Sequence, residues 1–553
     1  MELNIKTENE LIFQSMKRRV LEMKKNRIYM LALAIVGLSC HVSAHENTIV
    51  KIKDGLMQGV HNDSVISYKG IPYAQPPVGD LRWRAPQPVN AWDGVLPAKD
   101  YGSDCMQVPF PGDAAPLNGK LSEDCLFLNV WQPAEPSRTL RPVMVWIHGG
   151  GFVNGGSSAA NYDGTSFAKN GIVMVSINYR LGRFGFFAHP ALTAANEDPA
   201  LGNYGLMDQI AALQWVKENI ASFGGDPNQV TVVGESAGGL SIHALLTSPM
   251  AENLFERAII QSGAGRRHFS GRYLSHENTS GEASAETAGL LFAQKFHIEG
   301  QGQTALDALR ALPAEDVVDG LSMMNLNGVT YTGPMIDETL TTAHPQNIYN
   351  SGSGVSVPLL VGATTSEIPV SSPFTKWPET IEEALAIFGP VGSKIAKYAY
   401  GVTQETSVTD LVLDIIRDTG MVEPARFVMK AAEAQGQPVY GYRFAYVADV
   451  LKPTSKGADH ASEIVYAFNT LHAQYHDAVT AADQAMAERV HQYWVNFIRY
   501  GNPNGLGVPH WSRYRGWADN LMMFSNQGVE QSGMVFDPWK VRLTLIESIQ
   551  PPL

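Results

Sequence analysis

The sequence predicts an α/β fold in which a mostly parallel sheet is covered by helices on both faces. Three observations point there. Apolar, β-branched runs of strand length recur along the chain, and amphipathic segments of helical period lie between them. The third is Gly234-Glu235-Ser236-Ala237-Gly238-Gly239, directly behind the run VTVV at 230–233. Strands buried on both faces read as unbroken apolar runs, and parallel neighbours need a crossover, usually a helix. A G-x-S-x-G behind such a run is a strand-to-helix reversal so sharp that the serine takes a strained backbone conformation. A Cβ at Gly234 or Gly238 would collide across that turn, and the Ala237 amide is free to meet an oxyanion. Alone, so short a motif also reads as a glycine-rich turn with a capping serine.

The elements follow in order. Residues 142–147 (PVMVWI) read as a strand ending in His148-Gly149-Gly150-Gly151-Phe152, with Gly151 85 residues before the serine. Consecutive glycines let bare backbone amides approach a carbonyl oxygen. Residues 172–178 form the next strand, and Leu206, Ile210, Leu213, Val216 and Ile220 make a helical stripe at spacings of three and four. That helix stops at Gly224-Gly225-Asp226-Pro227, and the strand carrying Ser236 begins. Residues 255–261, 357–361 and 439–446 are further strands. Residues 264–350 mix polar loops, such as 268–283, with helical patches, such as 285–295, and read as insertions capping the sheet. The segment 485–500 is a helix ended by Gly501-Asn502-Pro503.

No Pro/Ser-rich linker, charge run or repeat divides the 553 residues, so residues 45–553 are expected to form a single catalytic domain. With 44% hydrophobic and 17% charged residues the chain can bury a large core. Residues 1–44 read as an N-terminal extension and signal peptide: Lys24-Lys25-Asn26-Arg27 is a positive segment, 28–40 an apolar one too short to span a bilayer, and Val42-Ser43-Ala44 a cleavage site. Met16 and Met23 are alternative starts. The expected address is therefore the periplasm or the medium. Removing residues 1–44 leaves 34 Lys/Arg against 50 Asp/Glu, a net charge of −16. Such a surface repels phosphate backbones, and no basic amphipathic stretch marks a membrane surface, so neither nucleic acid nor a stable membrane anchor is expected. Cys105 and Cys125 then remain as an even pair in an exported chain, which favours a disulfide. Two cysteines without nearby histidines do not make a zinc site.

The chain resembles the type-B carboxylesterase family of α/β-hydrolases, which includes bacterial para-nitrobenzyl esterases and the cholinesterases. The motifs run in family order: 70–79 (GIPYAQPPVG), 122–130 (SEDCLFLNV), 148–152 (HGGGF), 178–180 (NYR), 202–209 (GNYGLMDQ), 234–239 (GESAGG) and 497–504 (FIRYGNPN). The resemblance implies the α/β-hydrolase fold, with large loop and helical insertions, and hydrolysis of a small-molecule carboxylic ester through an acyl-enzyme without cofactor or metal. It makes Ser236 the nucleophile and His460, in 457–463 (GADHASE), the general base that takes the hydroxyl proton. The acid that orients the imidazole is Glu367, behind the strand 357–361, with Glu338 as rival. The chain departs from the family just after Glu367, where Ile368-Pro369 replaces a usual glycine. Gly150, Gly151 and Ala237 supply the oxyanion-hole amides, and Cys105 with Cys125 matches the first family disulfide.

By the same resemblance Arg82 with Glu123 and Arg180 with Asp208 are internal ion pairs, read here as structural. Glu235 either anchors main chain and water or lends negative potential to the pocket. Asp459, His460 and Glu463 could be drawn as metal ligands, but no second cluster supports it. A serine peptidase or acyltransferase would use the same constellation. Some relatives of the fold are adhesion or binding proteins that lack part of the triad, and its retention argues against that class. Small aryl esters are the expected substrates, with specificity in loops such as 263–287 and 371–378.

Overall fold

The computed structural model describes residues 13–19, 21 and 48–550, except 269, 270, 280, 327, 370 and 371. The expected signal segment 24–44 lies outside the described residues. The chain divides into residues 1–50 and residues 51–553, the second holding everything that follows.

Its centre is an eleven-stranded sheet. In chain order its strands are β1 (Val60–Asn62), β2 (Val65–Pro72), β3 (Phe127–Pro133), β4 (Arg141–Ile147), β5 (Val173–Ile177), β6 (Gly225–Glu235), β7 (Arg257–Gln261), β8 (Leu359–Thr364), β9 (Val439–Phe444), β10 (Asn520–Phe524) and β11 (Gly533–Phe536). They lie in the order β11-β10-β9-β8-β7-β6-β4-β5-β3-β2-β1. From β10 through β5 every pairing is parallel, and the outer pairings are antiparallel. The central strands are the apolar runs of the sequence, with every residue of β5, β8 and β9 buried.

Successive side chains on a strand point to opposite faces, so a strand buried throughout needs a layer on each side. On one face Met144 and Trp146 of β4 join Trp494 and Phe497 of the helix Ala481–Tyr500 in a single aromatic cluster with Tyr442 and Phe524. Trp494 packs edge-on to Tyr442 at 5.4 Å between ring centroids. Truncating an aromatic of this kind to alanine typically costs about 3–5 kcal/mol. The helices Ala237–Thr247 and Glu423–Ala434 pack against β6 and β8.

Several boundaries shift by a few residues from the sequence expectation, two of them for a clear local reason. The helix expected from residue 485 begins at Ala481, because Thr480 and Asp483 form a capping box in which each side chain accepts from the other's backbone amide. The strand expected at 357–361 is β8, Leu359–Thr364. Pro358 has no N–H to donate, so the ladder starts after it, and its carbonyl accepts from Ala258. The segment 264–350 holds the expected helix Ala285–Lys295, together with Gln303–Arg310, Ala314–Val318 and Pro345–Ser351.

Candidate active site

The ends of β4, β6, β8 and β9 converge at one edge of the sheet, where ligands of open α/β sheets bind. Behind β6, Ser236 has φ 55° and ψ −120° and caps the helix Ala237–Thr247. No unstrained L-residue chooses that conformation; packing imposes it. A Cβ on Gly234 would stand 2.6 Å from the carbonyl carbon of Gly238, and one on Gly238 only 2.0 Å from the Ile147 oxygen. The reversal therefore admits only glycine at both places.

The glycine run behind β4 is pressed against the same turn. A Cβ on Gly149 would meet the Ser236 Cβ at 3.0 Å. Gly150 and Gly151 have φ of 99° and 59°, and Phe152 shares this left-handed region at 62°. The Gly150 carbonyl accepts from Val153 and Asn154, which fixes the loop, and no backbone acceptor among the described residues engages the Gly150 or Gly151 amides. His148 stacks on Tyr179 at 4.5 Å. Burial lowers its pKa to about 4, so it is a neutral packing group. A side chain missed in the sequence also borders the run: Met323 Sδ would lie 2.7 Å from a Cβ on Gly151. Only the fold reveals it, because Met323 is distant in sequence from every motif.

Glu367 and His460 are brought together. His460 Nδ1 lies 2.5 Å from Glu367 Oε2, and since a carboxylate only accepts, the ring nitrogen is the donor. The other Glu367 oxygen accepts from Ser262 Oγ at 2.6 Å and from the Thr364 amide at 2.8 Å. Sequence reasoning also missed Ser262, whose one signal is its position just past the end of β7. The loops themselves are stitched together: Ser366 N donates to Ala458 O, His460 N to Ser366 O, and Ala458 N to Thr365 Oγ1. This pairing precedes Ile368-Pro369, so the departure from the family pattern leaves the Glu367 contact in place. Glu338 lies elsewhere, exposed in a turn at φ 60°.

Three buried carboxylates surround the imidazole. Glu235 Oε1 stands 3.1 Å from His460 Nε2, at angles that do not make a hydrogen bond. Glu463 accepts from Tyr442 OH at 3.2 Å. Burial by itself would lower the His460 pKa, but Glu235, Glu367 and Glu463 outweigh it and raise it to about 10. Burial pushes Glu235 well above the usual carboxylate range, against the pull of His460, and pushes Glu463 up to about 7. Glu367 behaves oppositely: its burial is overcome by the His460 charge and hydrogen bonds, and its pKa is lowered. Burial thus favours the protonated form of Glu235. Once neutral it no longer favours the imidazolium, and the His460 pKa falls below the value that three charged carboxylates would set.

Ser236 Oγ and His460 are not hydrogen-bonded in this structure, in keeping with the long or misaligned catalytic contacts common without substrate. Beside His460 opens a cavity of about 380 Å³ lined by Asp113, Asn161, Leu451, Asp459 and Tyr475 among others. The loop bearing Asp113 is closed by Cys105 and Cys125, whose sulfurs are at bonding distance, 2.08 Å. Arg180 and Asp208 form a buried two-pronged pair at 2.8 and 2.7 Å, and Arg82 and Glu123 a similar one at 2.8 and 2.5 Å. Among the described residues no group of three His, Cys, Asp or Glu is arranged to hold a metal ion. No described helix is long and apolar enough to cross a membrane.

A strained serine between strand and helix, at the carboxyl edge of this sheet order, defines the class: a hydrolase of the α/β-hydrolase fold. Comparison with known proteins narrows it. The Carboxylesterase family model matches residues 46–387 and 391–537, and the chain belongs to that family. It is 36% identical over 486 residues to the para-nitrobenzyl esterase of Bacillus subtilis (strain 168), covering 84% of this chain and 92% of that protein. It is 31% identical over 503 residues to the fumonisin B1 esterase of Sphingopyxis macrogoltabida, covering 88% of each. With carboxylesterase 1F of Mus musculus the figure is 30% over 537 residues, 88% of this chain and 92% of that protein. The protein is a serine hydrolase of carboxylic esters.

Proposed function

We propose that Ser236 is the nucleophile, His460 the general base and Glu367 the acid that orients it, with the amides of Gly150, Gly151 and Ala237 holding the oxyanion. Ser236 Oγ attacks the ester carbonyl as His460 Nε2 takes its proton, and the tetrahedral oxyanion collapses when the same imidazole protonates the leaving alcohol. Water then enters, loses its proton to His460, attacks the acyl carbon and releases the acid and Ser236. The amides meet the negative charge where it develops, and losing one such donor typically costs on the order of 100-fold or more in rate. The observation that carries this reading is the 2.5 Å contact of His460 Nδ1 with Glu367, which leaves Nε2 as the ring nitrogen free to take a proton.

Small aryl esters are the proposed substrates, and the mature enzyme is proposed to be a single catalytic domain over residues 45–553, exported after cleavage near Ala44 and working without nucleic acid or a membrane anchor. The Cys105–Cys125 bond supports export, since oxidising compartments preserve such bonds. Ser236→Ala should fold and lose turnover. Intact mass after an organophosphonate should show a single adduct on the wild type and none on the variant; an adduct at another serine in the variant would refute the assignment. Comparing each ester with its matching amide separates an esterase from a peptidase.

A further inference from the structure

A cavity of about 690 Å³ lies away from the serine. It is lined by Tyr440, near the start of β9, by Asn520, which opens β10, and by the β11 residue Phe536 that pairs with Asn520. Ser236, Glu367 and His460 instead follow the carboxyl ends of their strands. Phe444, where β9 leaves towards His460, is four residues and about 13 Å of strand beyond Tyr440. The cavity therefore opens at the opposite edge of the sheet.

Its walls combine two chemistries. Trp517 and Phe536 are large aromatics left 80% and 72% exposed, with buried Trp511 and Tyr440 behind them. Aromatics so exposed on one concave surface are uncommon on a soluble chain and mark binding sites. Every charged or titratable group in the lining besides Tyr440 is basic: His510, Arg513 and Arg515. No carboxylate joins them, although the chain carries a net charge of −13. Arg515 reaches Glu433 only at 3.4 Å, and the Arg513 guanidinium has no ion pair among the described residues. The buried Trp511 indole N–H likewise lacks an acceptor. A cation excludes itself from such a lining, a fully hydrated anion gains nothing from the aromatic walls, and a neutral apolar ligand leaves the donors unanswered.

We propose that this cavity is a binding site for an amphipathic carboxylate, whose apolar tail lies on Trp517 and Phe536 while its carboxylate takes Arg513. A guanidinium meets a carboxylate through two parallel N–H donors, a match that neither an alcohol nor an ammonium group reproduces.

Equilibrium dialysis of the full chain against radiolabelled decanoate tests this. The wild type should bind one more decanoate per chain than Arg513→Glu, and that site should be weakened about tenfold or more by the charge reversal or by Trp517→Ala. Arg513→Gln should be intermediate. All three variants should hydrolyse para-nitrophenyl acetate at the wild-type rate, which certifies their folding and separates this site from the serine. Decanol and decyltrimethylammonium should fail to displace the label. Equal stoichiometry and affinity in Arg513→Glu, or displacement by decyltrimethylammonium as effective as by unlabelled decanoate, would overturn the proposal.

Discussion

His460 and the histidines His243, His268 and His344 are all largely withdrawn from water, His243 and His268 fully and the other two in part, yet the acidity of His460 moves in the opposite direction from theirs. His460 sits among Glu235, Glu367 and Glu463, which overcome its burial and raise it. Of the other three, His243 belongs to the helix Ala237–Thr247 and His268 and His344 to the insertion 264–350, and among the described residues no carboxylate is hydrogen-bonded to them. His243 meets Tyr349 OH at 2.7 Å, and His268 meets the Ala343 carbonyl at 3.0 Å. The rings of His268 and His344 stand 6.1 Å apart. Burial lowers His243 to about 3, with His268 adding to it. Burial also lowers His268 and His344 to about 4 each, helped by His344 in the first case and by Arg267 in the second, where Glu282 opposes. Burial only disfavours charge; a carboxylate in the right place makes a buried imidazole a proton acceptor. The sheet edge builds that place, and the insertion does not.

The largest effect should come from making His460 resemble the other three. Glu367→Gln keeps the shape of the side chain but cannot offset an imidazolium, and its amide can favour the wrong ring tautomer. The kcat should fall by about 10³- to 10⁴-fold with KM changed little. Glu338→Gln, in its exposed turn, should change neither. Parallel steady-state kinetics decide: near-normal turnover in Glu367→Gln with collapse in Glu338→Gln would relocate the orienting acid.

A second test acts on the other three histidines. The folded pKa values of His243, His268 and His344 lie below the unfolded value of about 6.5, so between about 4 and 6.5 the unfolded chain binds more protons. Their contribution is intact above about pH 6.5 and is lost as pH falls through that window, by about 1.4 kcal/mol per pH unit for each histidine that must take up a proton on unfolding. Thermal melts from pH 7.5 to 4.5 should show this decline, and His268→Gln should flatten it. An unchanged slope in that variant would mean that His268 is already protonated in the fold.

The contrast also explains what the sequence could reveal. The central strands were legible because both faces are buried, and Ser236 because its turn admits only glycine neighbours. His460 and Glu367 needed the family pattern: nothing in a local window shows that Ser366 and Ala458 are hydrogen-bonded and so carry them together. Ser262 and Met323 were not legible, since each acts through a contact made only in three dimensions. The histidines of the insertion looked like any surface histidine, because burial by a capping segment leaves no periodic trace in a polar stretch.

The smallest expected effect concerns Glu235, whose carboxyl stands 3.1 Å from His460 Nε2, the nitrogen proposed to accept the proton. Were it ionised, Glu235→Gln would remove a negative charge 3.1 Å from His460 Nε2, lower the imidazole pKa, and move the acid limb of kcat/KM to lower pH by a unit or more. Burial argues the other way, since it raises the Glu235 pKa well above the usual carboxylate range and so favours the protonated group. An amide then replaces a neutral acid of the same size, and the limb should move by less than about half a pH unit, with modest loss of rate. Profiles of kcat/KM from pH 5 to 10 for the two proteins measure the difference. A shift above one unit would establish Glu235 as an anion and make it, alongside Glu367, part of what separates His460 from the histidines of the insertion.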